Sequence, residues 1–208
     1  MNNKIKMSGA NEKLLQTPSQ TAGPFFAYGL TPEQYQYDFT SIADGGLADE
    51  KNGAALITIA GQVFDGEDQP ISDALIEIWQ ADADGNYHTQ YHNIPISPYH
   101  FTGFGRMGTG ANTETGFTFQ TIKPGSAEGQ APHVNVIVFM RGLLTHAYTR
   151  IYFSDEVAAN SKDIVLNSVE EKRRDTLISQ LTATAEGHPV YKFDIHMQGG
   201  KETVFFDV

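Results

Sequence analysis

The run His133 to Arg141 (HVNVIVFMR) holds the densest set of side chains able to do chemistry. If it is a strand, alternate residues share a face: His133, Asn135, Ile137, Phe139 and Arg141 lie together, and the valines at 134, 136 and 138 with Met140 lie opposite. The valine face reads as core. The other face carries an imidazole and an amide at one end and a guanidinium at the other. A buried guanidinium is costly unless it meets an anion or several acceptors. Arg141 is therefore either a salt-bridged or solvated strand end, or the counter-ion of an anionic ligand. Tyr87 follows an Asp84-Gly85-Asn86 turn, where a tyrosine commonly packs its ring and hydrogen-bonds its hydroxyl. Gly23-Pro24, inside TPSQTAGPFF (17–26), is a stiff turn without a side chain. It either anchors the chain or lets backbone approach a flat ligand closely.

Other chemistries are excluded by what is missing. The chain has no cysteine, so it has no thiol nucleophile, disulfide framework or zinc-thiolate site. There is no Walker loop, no HExxH and no GxSxG, and Gly103-Phe-Gly105 lacks a third glycine. The remaining histidines, at 88, 92, 100, 146, 188 and 196, form no ligand triplet. A net charge of -11 repels phosphate backbones, and no basic stripe opposes it, so nucleic-acid binding is not expected. No run approaches the roughly 20 apolar residues that span a bilayer, and the N-terminus lacks a secretory apolar stretch. A protein with no membrane association, located in the cytoplasm, is the expectation.

The elements that must position these residues are mostly short β-runs. Across 208 residues, strands are expected at 56–64, 74–80, 117–122, 133–141, 148–153, 190–197 and 203–208, separated by turn residues. That pattern predicts a mainly β fold, an antiparallel β-sandwich with long loops and one short helix. The helix is placed after Ser168-Val-Glu-Glu171, which reads as a capping box, with Leu177, Ile178 and Leu181 as its apolar stripe. No regular structure is assigned between Tyr87 and Gly116. Three regions are expected: a flexible N-terminal arm (1–16), an aromatic-rich interface and pocket segment (17–54), and a β-sandwich domain (55–208).

Taken in order, TPSQTAGPFF (17–26), EIWQADADGNY (77–87), GFTFQTIKPG (116–125), APHVNVIVFMRG (131–142), TRIYF (149–153) and ETVFFDV (202–208) resemble the intradiol ring-cleavage dioxygenases. The likeness runs from about Thr17 to Val208. It is nearest to the α chain of those members built from homologous α and β chains. The resemblance implies an intradiol dioxygenase-like β-sandwich and an enzyme of aromatic catabolism that opens 3,4-dihydroxybenzoate with O2 to 3-carboxy-cis,cis-muconate. It also implies a mononuclear non-haem Fe(III) held by two tyrosinates and two histidines. Such hard anionic phenolates favour the ferric state.

Carried onto this chain, the first tyrosine position is Tyr87 and the first histidine is His133. The second tyrosine position holds Ser126, with Ala127 beside it, and the second histidine position holds Asn135. These four are expected to be a vestigial ligand set that binds no metal. The resemblance then implies that the iron is bound by a homologous β subunit in an (αβ)n oligomer. It further implies that Thr21, Gly23, Pro24 and Arg141 of this chain face the substrate. Two alternatives stand beside this one. A self-sufficient homo-oligomeric catechol-type enzyme would recruit Tyr91, His92, Tyr99 or His100. A non-enzymatic β-sandwich binding module would use the aromatics from Phe25 to Phe39.

Overall fold

The computed structural model describes residues 21–49, 55–88, 101–110, 116–185 and 187–207. Among these residues ten strands appear in chain order: β1 (Leu56–Gly61), β2 (Val63–Phe64), β3 (Leu75–Gln80), β4 (Phe104–Gly108), β5 (Phe117–Ile122), β6 (His133–Phe139), β7 (Ala147–Phe153), β8 (Ile178–Ala185), β9 (His188–Lys192) and β10 (Ile195–His196). Eight of them form one sheet in the order β4-β3-β6-β7-β8-β9-β1-β5. Its two halves meet at a two-residue parallel seam, Tyr152 opposite Ile178 and Phe153 opposite Ser179. Ile59, Phe117 and Phe119 from one half and Ile76, Ile78, Val134, Val136, Val138 and Ile151 from the other share a single buried core. The sheet thus folds over on itself and packs as a sandwich.

The expected β-rich class holds, with differences in detail. Three pairings are parallel, β1 with β9, β7 with β8 and β2 with β10, so the sheet is mixed rather than purely antiparallel. The run 190–197 divides into β9 and β10, and the described part of the last expected strand, 203–207, forms no strand, contributing one bridge from Phe206 to Tyr148. The segment left unassigned contains β4, paired along β3. The expected N-terminal arm (1–16) lies outside the described residues.

The helix expected from Ser168 is absent, and the reason is local. Ser168 ends a short helix, α3 (Ile164–Ser168), and its hydroxyl donates to the Val165 carbonyl. The true cap is Asp163, whose carboxylate accepts from the Leu166 amide at 2.7 Å. A 3₁₀ turn covers Glu171–Leu177, after which Ile178 to Ala185 is strand β8. Leu181 is exposed rather than part of an apolar stripe.

A helix not expected from the sequence, α1 (Pro24–Leu30), opens the described chain, with Pro24 in its first turn. A 3₁₀ turn, Pro32–Tyr35, follows it. The Gln34 side chain pins this segment to the sheet by donating to the Gly108 carbonyl at 2.8 Å and accepting from the Gly108 amide at 2.7 Å. Among the described residues no helix is long and apolar enough to cross a membrane.

Candidate functional site

Alternation along β6 does what the sequence implied. Val134, Val136 and Val138 are buried in the core, while His133, Asn135, Ile137 and Phe139 face the other way. On that outer face Asn135 stands directly opposite Trp79 of β3 and Arg150 of β7. Tyr87 is delivered from the loop after β3 by two interlocked turns. Gly85 has φ +84, and a Cβ there would lie 2.1 Å from the Ser126 carbonyl. The Gly125 amide in turn donates to the Asp82 carbonyl at 2.8 Å. Only glycine at 85 permits this approach, which holds the Tyr87 loop against the loop of Lys123, Pro124 and Gly125.

These elements enclose a cleft of ≈ 370 Å³ lined by Trp79, Tyr87, Ala127, Glu128, Gln130, His133, Asn135 and Arg150. Tyr87, His133 and Asn135 converge in it as a hydrogen-bonded group. The Nδ1 atom of His133 lies 2.8 Å from the Ala131 carbonyl, which fixes the ring proton there and leaves Nε2 as an acceptor. The Tyr87 hydroxyl, 3.3 Å from Nε2, donates to it and accepts from the Asn135 amide at 3.2 Å. Burial pushes the Tyr87 phenol above its ordinary value of 10.0, against the opposing pull of the Asn135 bond and the Arg150 charge. Burial likewise pushes the His133 imidazole below 6.5, outweighing its bond to the Ala131 carbonyl. The group is therefore a neutral phenol, a neutral imidazole and an amide. At the position next to the glycine turn, Ala127 lines the cleft and Ser126 does not.

Beneath the cleft lies a buried support. Asp163 accepts from the Ala131 amide at 2.8 Å, from the Leu166 amide at 2.7 Å and from the Tyr152 hydroxyl at 3.1 Å. Burial raises the Tyr152 phenol to about 12. The Asp163 carboxylate thus ties the start of β6 to α3 and β7.

The other candidate residues collect elsewhere. Phe139 lies four residues, about 13 Å, along the strand from Asn135, and Arg141 lies beyond it. Its side chain is 66% exposed and ion-paired with Asp73, which realises the solvated, salt-bridged strand end. Thr21 donates its hydroxyl to the Leu143 carbonyl, so the N-terminal segment docks on the turn that carries Arg141. Gly23 is the N-cap of α1 with an ordinary φ of -83, and a Cβ there would meet nothing among the described residues. Exposed apolar side chains follow in the same N-terminal segment, Phe25, Phe26, Tyr37, Phe39 and Ile42, and Leu144 is exposed on the turn after Arg141. The structure therefore separates the candidates into two groups, Tyr87 with His133 and Asn135 in the cleft, and Thr21, Gly23 and Pro24 with Arg141 at the opposite strand end.

Arg150, Gln130 and Trp79 were not singled out as site residues from the sequence. The alternation of TRIYF (149–153) sets Arg150 and Tyr152 on one face, but only the register of β7 against β6 places Arg150 beside Asn135. Tyr91, His92, Tyr99 and His100 lie outside the described residues.

Comparison with known proteins agrees with this architecture. A family model described as Dioxygenase matches residues 22–199. The protocatechuate 3,4-dioxygenase alpha chain of Burkholderia cepacia is 48% identical over 196 residues, spanning 94% of this chain and 98% of the relative. The beta chain from the same organism is 34% identical over 168 residues, spanning 74% of this chain and 70% of the relative. Among solved structures, the dioxygenase domain of a dioxygenase carbohydrate-binding protein fusion from Streptomyces sp. SirexAA-E shares the fold. It gives a TM-score of 0.59 at 23% identity and covers 79% of this chain and 93% of that one. The chain belongs to the intradiol ring-cleavage dioxygenase family, and within it stands with the α chains.

Proposed function

We propose that this chain is the metal-free α subunit of a heteromeric intradiol dioxygenase of the protocatechuate 3,4-dioxygenase type, opening 3,4-dihydroxybenzoate with O2 to 3-carboxy-cis,cis-muconate. The observation that carries this reading is the state of the cleft. A ferric site of this family needs anionic phenolates and imidazoles with free lone pairs. Among the described residues the cleft offers one phenol and one imidazole, Tyr87 and His133, hydrogen-bonded to each other. Asn135 points an N–H donor at the phenol oxygen, and Ala127 adds no donor. The residues present do not fit a ferric ion.

The substrate-facing set supports the same reading. Thr21, Gly23, Pro24 and Arg141 sit at the far end of β6, too distant to serve this chain's own cleft. They serve a site on another chain. The exposed aromatics around them supply the apolar surface expected of an interface, where aromatics are favoured. The homologous β chain brings the iron, and the (αβ)n assembly, located in the cytoplasm, is the enzyme. Arg141 adds a fixed cation for the substrate carboxylate against a chain charge of -11.

Purification with added ferric iron tests the proposal. The chain alone stays colourless, and the chain co-expressed with a β chain gives a red-brown complex from tyrosinate-to-iron charge transfer. A stoichiometric coloured centre in the isolated chain overturns it.

A further inference from the structure

The two partners of the Arg141 ion pair stand in unequal surroundings. The Asp73 side chain is 13% exposed against 66% for Arg141. The Asp73 Oδ2 atom, which meets Arg141 Nε, is closed to solvent and takes no aligned hydrogen bond among the described residues. A carboxylate held this way depends on the guanidinium charge to offset its burial. It is also fixed in place from behind. The next residue, Ala74, is fully buried and tied to Thr109 through both backbone groups. Its carbonyl accepts from the Thr109 amide at 2.9 Å, and its amide donates to Thr109 Oγ1 at 3.0 Å.

The same carboxylate lies beside the N-terminal segment. Burial, and next the Asp73 charge, push the Tyr35 phenol above its ordinary value of 10.0, so Asp73 stands near the end of the Pro32–Tyr35 turn. Thr21 meanwhile donates to the carbonyl of Leu143, two residues beyond Arg141. Asp73 therefore sits where the N-terminal segment, the start of β3 and the turn after β6 come together. A guanidinium carries five N–H donors, one of them on Nε. With Nε against Asp73, the Nη1 and Nη2 atoms of Arg141 have no partner among the described residues. Those two nitrogens form an edge that takes a carboxylate through paired bonds.

We propose that Asp73 is a positioning residue for Arg141: its buried carboxylate holds the Nε side of the guanidinium and leaves the Nη edge for the substrate carboxylate at the partner chain's site. Asp73 touches no substrate and acts only through Arg141. The proposal rests on the α-subunit reading, in which Arg141 faces that site.

The test is an anaerobic titration of the coloured α–β complex, following its tyrosinate-to-iron band. The ligands are 3,4-dihydroxybenzoate and 3,4-dihydroxybenzamide, its uncharged isostere. Asp73→Asn weakens the benzoate by about two- to fivefold, the range open to an ion pair with one exposed partner. It leaves the benzamide unchanged, which a merely structural role would not do. Arg141→Ala weakens the benzoate further, and adding Asp73→Asn to it changes nothing more. Equal weakening of both ligands by Asp73→Asn, or a loss as large as that of Arg141→Ala, overturns the proposal. Parent affinity in Asp73→Asn beside a loss in Arg141→Ala overturns the proposal alone and leaves the α-subunit reading standing. Parent affinity in Arg141→Ala removes both. If Asp73→Asn does not assemble, Arg141→Lys decides. Its single ammonium cannot offer one edge to Asp73 and another to the ligand, so it binds the benzoate as weakly as Arg141→Ala does, and parent affinity there overturns the proposal.

Discussion

Replacing Arg141 with alanine separates a residue that serves a neighbouring chain from one that holds its own fold. Within this chain the guanidinium does little. It is 66% exposed, and its partner is Asp73. An ion pair so open to solvent contributes about 0–1 kcal/mol, which moves the Tm of a chain this size by no more than about 4 °C. In the complex we propose, the same guanidinium meets the substrate carboxylate, and a lost charge-assisted contact costs about 1–3 kcal/mol. At 1.36 kcal/mol per tenfold, that lowers kcat/KM by about 5- to 150-fold. The assay is oxygen uptake by the α–β complex with 3,4-dihydroxybenzoate, alongside its visible absorption and thermal melt. The expected result is a loss of kcat/KM with colour and Tm retained. Asp73→Asn provides the control, because it breaks the ion pair but keeps the cation. Parent kinetics or a bleached complex would refute the assignment of Arg141. An equal kinetic loss from Asp73→Asn would show that the pair acts only on local structure.

Two further predictions concern the scaffold. Asp163→Ala leaves the amides of Ala131 and Leu166 and the Tyr152 hydroxyl without their shared acceptor. Each unmet buried group costs about 1–3 kcal/mol, so a total of about 3–9 kcal/mol and a Tm drop of roughly 6–36 °C are expected by calorimetry. A loss no larger than that of Arg141→Ala would contradict the support role. Asp155 gives the pH dependence. Burial alone would raise its pKa, but the bonds from Lys123 and Tyr191 hold it below 3.8. A carboxylate depressed in the folded state stabilises above its unfolded pKa and loses that contribution as pH falls through the folded value. Urea denaturation should therefore find Asp155→Asn less stable than the parent at pH 7, with the gap closing below about pH 4. A gap that stays constant with pH would refute this.

Legibility from sequence follows the range of the interactions. The valines at 134, 136 and 138 alternate with period two, so β6 and its buried face could be read directly. Gly85 and Gly125 mark turns whose close approach admits no side chain, so the two loops that frame the cleft stood out as well. Ser168 misled because a capping box is a local pattern, while Asp163, five residues earlier, had already capped a shorter helix. Strand β4 was missed because FGRMG carries no alternation of its own and is held by pairing with β3. Arg150 was missed for the same reason. Its place beside Asn135 is a fact of register between two strands, and no spacing within either one contains it.

If Tyr87, Ser126, His133 and Asn135 are the vestigial ligand set we propose, the cleft also explains how such a set can be half erased without loss of the fold. A metal shell that loses some of its donors normally leaves the others buried and unmet, which costs about 1–3 kcal/mol each. Here the substitutions close the set instead. His133 Nε2 accepts the Tyr87 proton, the Tyr87 oxygen accepts from Asn135, and His133 Nδ1 is held by the Ala131 carbonyl. An imidazole at position 135 would disturb this balance. With its proton turned to the phenol it would only replace the amide, and with a lone pair turned there it would compete with His133 for one hydrogen. Asparagine, as a donor that needs no tautomer choice, makes the phenol–imidazole pair self-sufficient. The same change that removes the metal's claim on these atoms supplies the hydrogen bond that lets them remain.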